Sequence, residues 1–411
     1  MTDSVTGTTA ACPRSDVDPY SDEFLADPFP FLARLRDAGP VVYLDRYEVF
    51  AVARHEQVQA VLKDPRVFSS AAGTGITNFN TEKAWRKPSI LLEVDPPVHT
   101  HNRKVVARAL APRSLGYLQE VFDRKAAELA DSLAARGSFD AVPDLAEIFP
   151  TQVFADAFGL QPGGRDQLLA YGALVFNGMG PRNHLFESSL AGAEGVLAWI
   201  TQQCSRSSLR PDGLGALIYA GVDAGEVTED EAALLVRSFL SAGLDTTVSA
   251  LGLGVLDFAR SPGQWQALRE DPSLARNAFE EVVRIEAPVM NFFRTTTEPV
   301  ELAGTHLPAG AKVMVSFAGA NRDPRRWEQP DRFDVRRKVA GHLGYGTGVH
   351  NCVGQVIARM EGEAVLRALA ARVSSWHLTG EPRPRLNNSL RSLDTLPVAV
   401  EPSNRAATTG P

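Results

Sequence analysis

Gly344-Tyr345-Gly346-Thr347-Gly348-Val349-His350-Asn351-Cys352-Val353-Gly354 delivers one cysteine to the start of an apolar segment, Gln355-Val356-Ile357. Four glycines among eleven residues let the backbone turn tightly and lie close against a flat partner. A helix that begins just beyond the sulfur aims its positive end at it and favours thiolate over thiol. A lone cysteine is ordinarily a small buried hydrophobe. Here the flanking glycines, His350 two residues upstream and the helix downstream mark Cys352 as a candidate metal ligand. The other cysteines, Cys12 and Cys204, are too scattered to build a disulfide framework, which agrees with a reducing compartment.

The remaining composition narrows the function classes. With 411 residues, 44% of them apolar, and a formal charge of −7, the chain reads as a globular protein with ample core and no basic patch for nucleic acid. No run of about 18 apolar residues exists, and Met1 to Pro19 is polar without a hydrophobic signal region, so no membrane association and a cytoplasmic location are expected. No low-complexity linker interrupts the middle of the chain. One domain over residues 20–403 is expected, between flexible tails at 1–19 and 404–411.

Val41, Tyr43, Tyr47, Val49 and Ala51 alternate, which predicts a hairpin over 41–53, followed by a helix over 55–63. A second hairpin is expected where Val300-Glu301-Leu302 and Val313-Met314-Val315 flank the turn residues Pro308-Ala309-Gly310. The longest helix begins at the capping box Thr228-Glu229-Asp230-Glu231 and runs to Arg260-Ser261-Pro262. At ~1.5 Å per residue it is ~48 Å long, enough to cross a domain. Another helix opens at Asp271-Pro272 and ends before Pro288. The fold class is therefore mainly α, a large helical region crossed by one long helix, plus a small β region.

Three further clusters carry chemistry. Inside the long helix, Ala242-Gly243-Leu244-Asp245-Thr246-Thr247 sets a glycine, a carboxylate and two hydroxyls together; a hydroxyl bonding back to a carbonyl one turn earlier would kink the helix. Glu281 and Arg284 lie three apart on one helical face, near Pro330-Asp331-Arg332-Phe333. In Asp95-Pro96-Pro97-Val98-His99-Thr100-His101-Asn102-Arg103, His99 and Arg103 are one turn apart and can grip one anion together.

In this order and spacing, the motifs resemble the cytochrome P450 family, specifically its soluble bacterial monooxygenases. The resemblance covers about residues 20–400 and implies the fold of that family, with Cys352 as the thiolate ligand of haem b iron. One position departs from the family pattern: Tyr345 stands where Phe is usual. The resemblance also implies that Asp245 and Thr246 deliver protons to bound O2, and that His99, Arg103, Arg294 and His350 hold the haem propionates. Glu281 and Arg284, with Arg332, would lock the loop leading to the cysteine, while His101 has no counterpart and is expected at the surface. No flavin or nicotinamide fingerprint and no second cysteine cluster is present. The electrons must therefore come from outside, and the family resemblance implies an iron–sulfur ferredoxin and its NAD(P)H-dependent reductase as donors, with Lys104, Arg108 and Arg113 as a basic docking surface.

Several stretches are similar to the subgroup that oxidises para-substituted benzoates. Trp85-Arg86-Lys87-Pro88-Ser89, then Leu92, matches the segment closing over the substrate, with Arg86 and Ser89 at carboxylate-binding positions and Arg237-Ser238 as a second anion contact. Phe176, Val289 and Phe292 match apolar residues around the ring, and Ser241 with Ala242 lies beside it. Met179 replaces a common Phe and offers a softer wall that admits extra ring substituents. This resemblance implies O-demethylation or hydroxylation of a 4-methoxybenzoate-like aromatic acid. A neutral substrate such as a terpene would leave Arg86 and Arg237 without a role. A peroxygenase would not need the Asp245-Thr246 pair, and a non-catalytic haem-binding sensor would need a partner-binding tail, for which neither end shows an amphipathic pattern.

Overall fold

Residues 12–403 are described by a computed structural model. Helices dominate, among them His55–Lys63 (α1), Val98–Ala109 (α2), Pro112–Arg136 (α3), Gln167–Asn177 (α4), His184–Leu190 (α5), Glu229–Ala242 (α6), Asp245–Arg260 (α7), Ala275–Glu286 (α8) and Gln355–Arg372 (α9). The long α3 shows why such segments fold. Pro112 opens it, Leu115, Leu118, Phe122, Ala126, Ala130 and Leu133 form its buried stripe, and Gly137 with φ 71° ends it. The largest apolar cluster joins α3, α7, α8 and α9. α9 lies close on α8: a Cβ at Gly362 would come within 2.2 Å of Phe279.

The capping box at Thr228 forms as expected, with the Glu231 amide donating to Thr228 Oγ1 (3.2 Å) and the Thr228 amide to Glu231 Oε2 (2.8 Å). The 32-residue run Glu229–Arg260 is core, 78% buried over its most apolar window. It is broken at Gly243-Leu244 into α6 and α7. Two causes coincide there. The ring of Phe154 fills the place of a side chain at Gly243, where a Cβ would come within 2.4 Å of it. Thr246 Oγ1 also donates to the Ala242 carbonyl, 3.0 Å, bending the last turn of α6.

The six-stranded sheet has the order Arg14–Ser15, Val42–Leu44, Val49–Val52, Lys312–Ser316, Asn291–Thr296, Phe68–Ser69. The hairpin over 41–53 is present, Val42–Leu44 antiparallel to Val49–Val52, and leads into α1. The second hairpin is corrected. Val300–Leu302 pairs with Thr305–Leu307 across Ala303-Gly304, both at positive φ, a two-residue turn that wins by proximity. Lys312–Ser316 is buried throughout and takes partners on both sides, antiparallel to Asn291–Thr296 and parallel to Val49–Val52. The N-terminal tail is also corrected. Arg14–Ser15 pairs with Tyr43 and Leu44, and Val17 and Tyr20 are buried, Tyr20 edge-on to Tyr47, so the packed body starts before residue 20. Residues 1–11 and the expected tail at 404–411 lie outside the described residues.

Candidate active site

The cysteine loop is wedged between α1 and α8. A Cβ at Gly348 (φ 73°) would lie 2.4 Å from the Leu62 carbonyl, and one at Gly344 would lie 2.6 Å from Val283. Cys352 is tied by its own amide to the Tyr345 carbonyl, 2.8 Å, and by its carbonyl to Gln355 Nε2, 2.9 Å, at the head of α9. Burial pushes its thiol pKa up, against the amides of Gly354 and Gln355 and the charge of Arg103. The helix end expected to favour thiolate is therefore outweighed by desolvation, and a metal's charge is what would secure the thiolate. Tyr345 places its ring under the Arg359 guanidinium, 4.6 Å away, and its buried hydroxyl has no partner.

Above this loop, four donors converge on one cavity wall. The rings of His99 and His350 stand 4.1 Å apart; both nitrogens of His99 and Nε2 of His350 are buried without partners among the described residues. Arg103 donates to Asn351 Oδ1 (2.6 Å), buried Arg294 to the Phe293 carbonyl (2.7 Å), and neither has an ion-pair partner among the described residues. Burial, reinforced by Arg294, His99 and Arg103, pushes His350 down to about 3, and burial lowers Arg294 to about 10. Such a set is costly unless something meets it. A flat group with two carboxylates and a thiolate-seeking metal fits it.

The acid and the alcohol at the helix break face different ways. Thr246 lines the cavity, whereas Asp245 is turned toward α4. A Cβ at Gly172 would come within 1.6 Å of Asp245 Oδ2, so that glycine makes the room for the carboxylate. The oxygen is buried and unpartnered, and burial raises the pKa to about 8, opposed by Arg385 and aided by Glu147. Arg385 and Glu147 pair with each other at 2.9 Å.

The cavity, about 240 Å³, is lined also by Arg86, Ser89 and Leu92 from the loop before α2, and by Arg237, Ser238, Ser241 and Ala242 from α6. Phe176, Met179, Val289 and Phe292 complete its walls. Arg86 behaves differently from the expectation. Its guanidinium forks onto buried Glu93 (3.0 and 3.2 Å), which also accepts the Ser89 amide at 2.6 Å, so its charge is already met. Arg237 donates to the carbonyls of Lys87 (2.8 Å) and Pro88 (3.2 Å) and has no carboxylate partner among the described residues. The hydroxyls of Ser89 and Ser238 meet at 3.1 Å. Tyr171, also lining the cavity, was not anticipated; it lies in an apolar helical pattern that gives no sign of facing a site.

The loop lock is built with one replacement. Arg284 is fully buried; its Nε and Nη2 donate to Glu281 (2.6 and 2.9 Å) and its Nη1 to the carbonyls of Asn321 and Pro330. The third member is Arg337, 3.0 Å from Glu281 Oε1, not Arg332, which is exposed and, among the described residues, reaches only Gln329. The chain turns at Arg332, and five further residues bring Arg337 back over the pair, a loop geometry that no periodicity announces. In the expected docking surface, Lys104 and Arg113 are exposed, but Arg108 is held by Glu226. His101 is exposed, as expected, its ring bonded to the Glu226 carbonyl.

A glycine loop presenting a cysteine beneath a wall of unmet cationic and imidazole donors defines a haem-thiolate protein. Residues 200–390 match the family model described as Cytochrome P450. Over 395 residues the chain is 50% identical to "Cytochrome p450 CYP199A2" of Rhodopseudomonas palustris, covering 96% of each. It is 34% identical over 403 residues to "Cytochrome P450 monooxygenase PikC" of Streptomyces venezuelae, covering 95% of each. Among solved structures, CYP109Q5 from Chondromyces apiculatus superposes with a TM-score of 0.80 at 29% identity, over 94% of this chain and 98% of that one. The chain belongs to the cytochrome P450 family and is a monooxygenase that binds haem b.

Proposed function

We propose that this enzyme oxidises an aromatic carboxylic acid of the para-substituted benzoate class, O-demethylating a 4-methoxybenzoate-like substrate. The observation that carries this reading is Arg237, a guanidinium at the pocket end with no carboxylate partner among the described residues, beside two hydroxyls and above apolar walls. A bound carboxylate would meet that charge. Phe176, Met179, Val289 and Phe292 would hold the ring, which points the para substituent away from Arg237 and toward Cys352. Arg86 serves this arrangement indirectly, by fixing through Glu93 the loop that carries Ser89.

Cys352 would hold the haem iron and His99, Arg103, Arg294 and His350 its propionates; the bound group would supply the reductive activation of O2. Thr246 Oγ1, tied at rest to the Ala242 carbonyl, presents a hydroxyl to the cavity and would hold a proton at that atom. Asp245, with a pKa raised to about 8, is poised to exchange protons near neutrality and would carry them from the side of Arg385 and Glu147. The apolar walls exclude bulk water from the reacting end. The overall change consumes the methyl ether, O2, two electrons and two protons, and releases a phenol, formaldehyde and water. A separate iron–sulfur ferredoxin, reduced by an NAD(P)H-dependent reductase, would bring the electrons.

Titrating 4-methoxybenzoate and 4-methoxybenzamide against the haem spin-state change tests the reading. The acid should bind roughly 10- to 150-fold more tightly, the loss expected for one or two hydrogen bonds to a charged group. Arg237→Leu should abolish the difference. Equal affinity for acid and amide, or tighter binding of a neutral terpene, would leave the monooxygenase without its benzoate assignment.

A further inference from the structure

We infer that Asn388 is a positioning residue: it clasps the turn after α4 and so fixes the Met179 wall of the pocket. The turn runs from Asn177 through Gly178, Met179 and Gly180 to Asn183, whose Oδ1 caps α5 by accepting the Phe186 amide at 3.2 Å. No strand ladder holds it. Instead Asn388, fully buried in the loop before the strand Ser392–Thr395, spans both ends. Its Nδ2 donates to the Asn177 carbonyl (2.9 Å) and to Asn183 Oδ1 (3.0 Å), and its Oδ1 accepts from Asn183 Nδ2 (2.8 Å). Its backbone amide donates to Asn177 Oδ1 (2.9 Å), and the Asn177 amide group donates on to Ser189 Oγ of α5 (2.8 Å). Gly180 admits this approach, since a Cβ there would lie 2.5 Å from that of Asn388.

Met179 is gripped from its other side as well. Its carbonyl accepts the Ile76 amide at 2.8 Å, and the loop bearing Ile76 is pinned by the ammonium of buried Lys312 on the carbonyls of Ala72, Gly73 and Gly75. The Asn388 loop reaches the opposite wall too: the Ser389 carbonyl accepts the Met290 amide (2.9 Å), and Leu390 bridges Val289. One buried amide thus ties the Met179 wall to the loop that carries the Val289 wall, and sets the width between them. Only an amide can do so. A carboxylate would keep the acceptor but lose both donors, and an aliphatic residue would lose all three bonds. The inference does not depend on which acid the pocket takes.

The test uses the haem-loaded chain with Asn388→Ala and Asn183→Asp, read by backbone hydrogen exchange and by the dissociation rate of 4-phenylimidazole followed in the Soret band. Asn183→Asp keeps an oxygen to cap α5 but sets it against Asn388 Oδ1; flipping the Asn388 amide would only move the clash to the Asn177 carbonyl. In Asn388→Ala, residues 178–190 should exchange on the order of 10- to 100-fold faster, with a similar gain in azole dissociation, while α3 and α9 stay unchanged. Asn183→Asp should show the same pattern at roughly 5- to 10-fold. Unchanged exchange and dissociation in a folded variant would overturn the clasp. So would acceleration spread equally over α3 and α9, which would make Asn388 a general stabiliser. Should Asn388→Ala fail to retain haem, Asn183→Asp decides by the same outcomes.

Discussion

Arg337→Ala and Arg332→Ala should have very different consequences, although both remove an arginine from the same loop. Arg337 is 12% exposed at its side chain and meets a Glu281 that is 0% exposed. Its other nitrogens donate to the carbonyls of Glu328 (2.7 Å), Gln329 (3.0 Å) and Arg332 (2.9 Å), so one guanidinium ties three carbonyls of the loop to the buried pair. Breaking a buried ion pair by removing one partner costs about 3–5 kcal/mol. Here Glu281 keeps both bonds from Arg284 and the Asp334 amide at 3.1 Å, so the loss should be about 2–3 kcal/mol. Arg332 makes a single exposed bond to Gln329 at 3.2 Å, and its removal should stay within about 0.5 kcal/mol. Urea unfolding of the haem-loaded protein, read by far-ultraviolet circular dichroism and by Soret intensity, measures both. Arg337→Ala should lower the midpoint and release haem earlier. A larger loss in Arg332→Ala would show that the lock has been assigned to the wrong arginine.

Two other expectations concern the helix break. Asp245 carries a pKa of about 8 against an ordinary 3.8, so the folded chain holds a proton that the unfolded chain has lost between those values; stability should fall as pH rises across that window. Asp245→Asn should flatten this slope in urea unfolding between about pH 5 and pH 9, and an unchanged slope would place the titration elsewhere. Thr246→Ala should bind substrate normally yet divert reducing equivalents to hydrogen peroxide; an unaltered ratio of product to NAD(P)H consumed would remove that hydroxyl from proton delivery.

What the sequence disclosed follows a physical line. Residues whose placement arises from short-range spacing are legible: the glycine-framed Cys352, the His99 and Arg103 turn, the capping box at Thr228 and the kink at Gly243. Residues whose roles arise from loop closure are not. Glu93 answers Arg86 from seven positions on, within an irregular loop, and Arg337 replaces Arg332 because a turn brings it back. Gly172 gave a faint signal, a glycine inside a helical pattern, which marks a close approach without saying to what. The strand Lys312–Ser316 misled for a related reason: its apolar run suits a hairpin and a central strand equally, and the choice was made by residues far away in sequence.

The pairing of Arg86 with Glu93 makes the far end of the pocket a counter of charge. With one arginine already matched, Arg237 is the single unmatched positive charge there among the described residues, so under the proposed function a monoanion would bring that end to neutrality and a second anionic group would have nothing to meet. Under the proposed function, selection there would work by arithmetic as much as by shape: a ring bearing one carboxylate would be admitted, and the same ring bearing two would carry one charge too many.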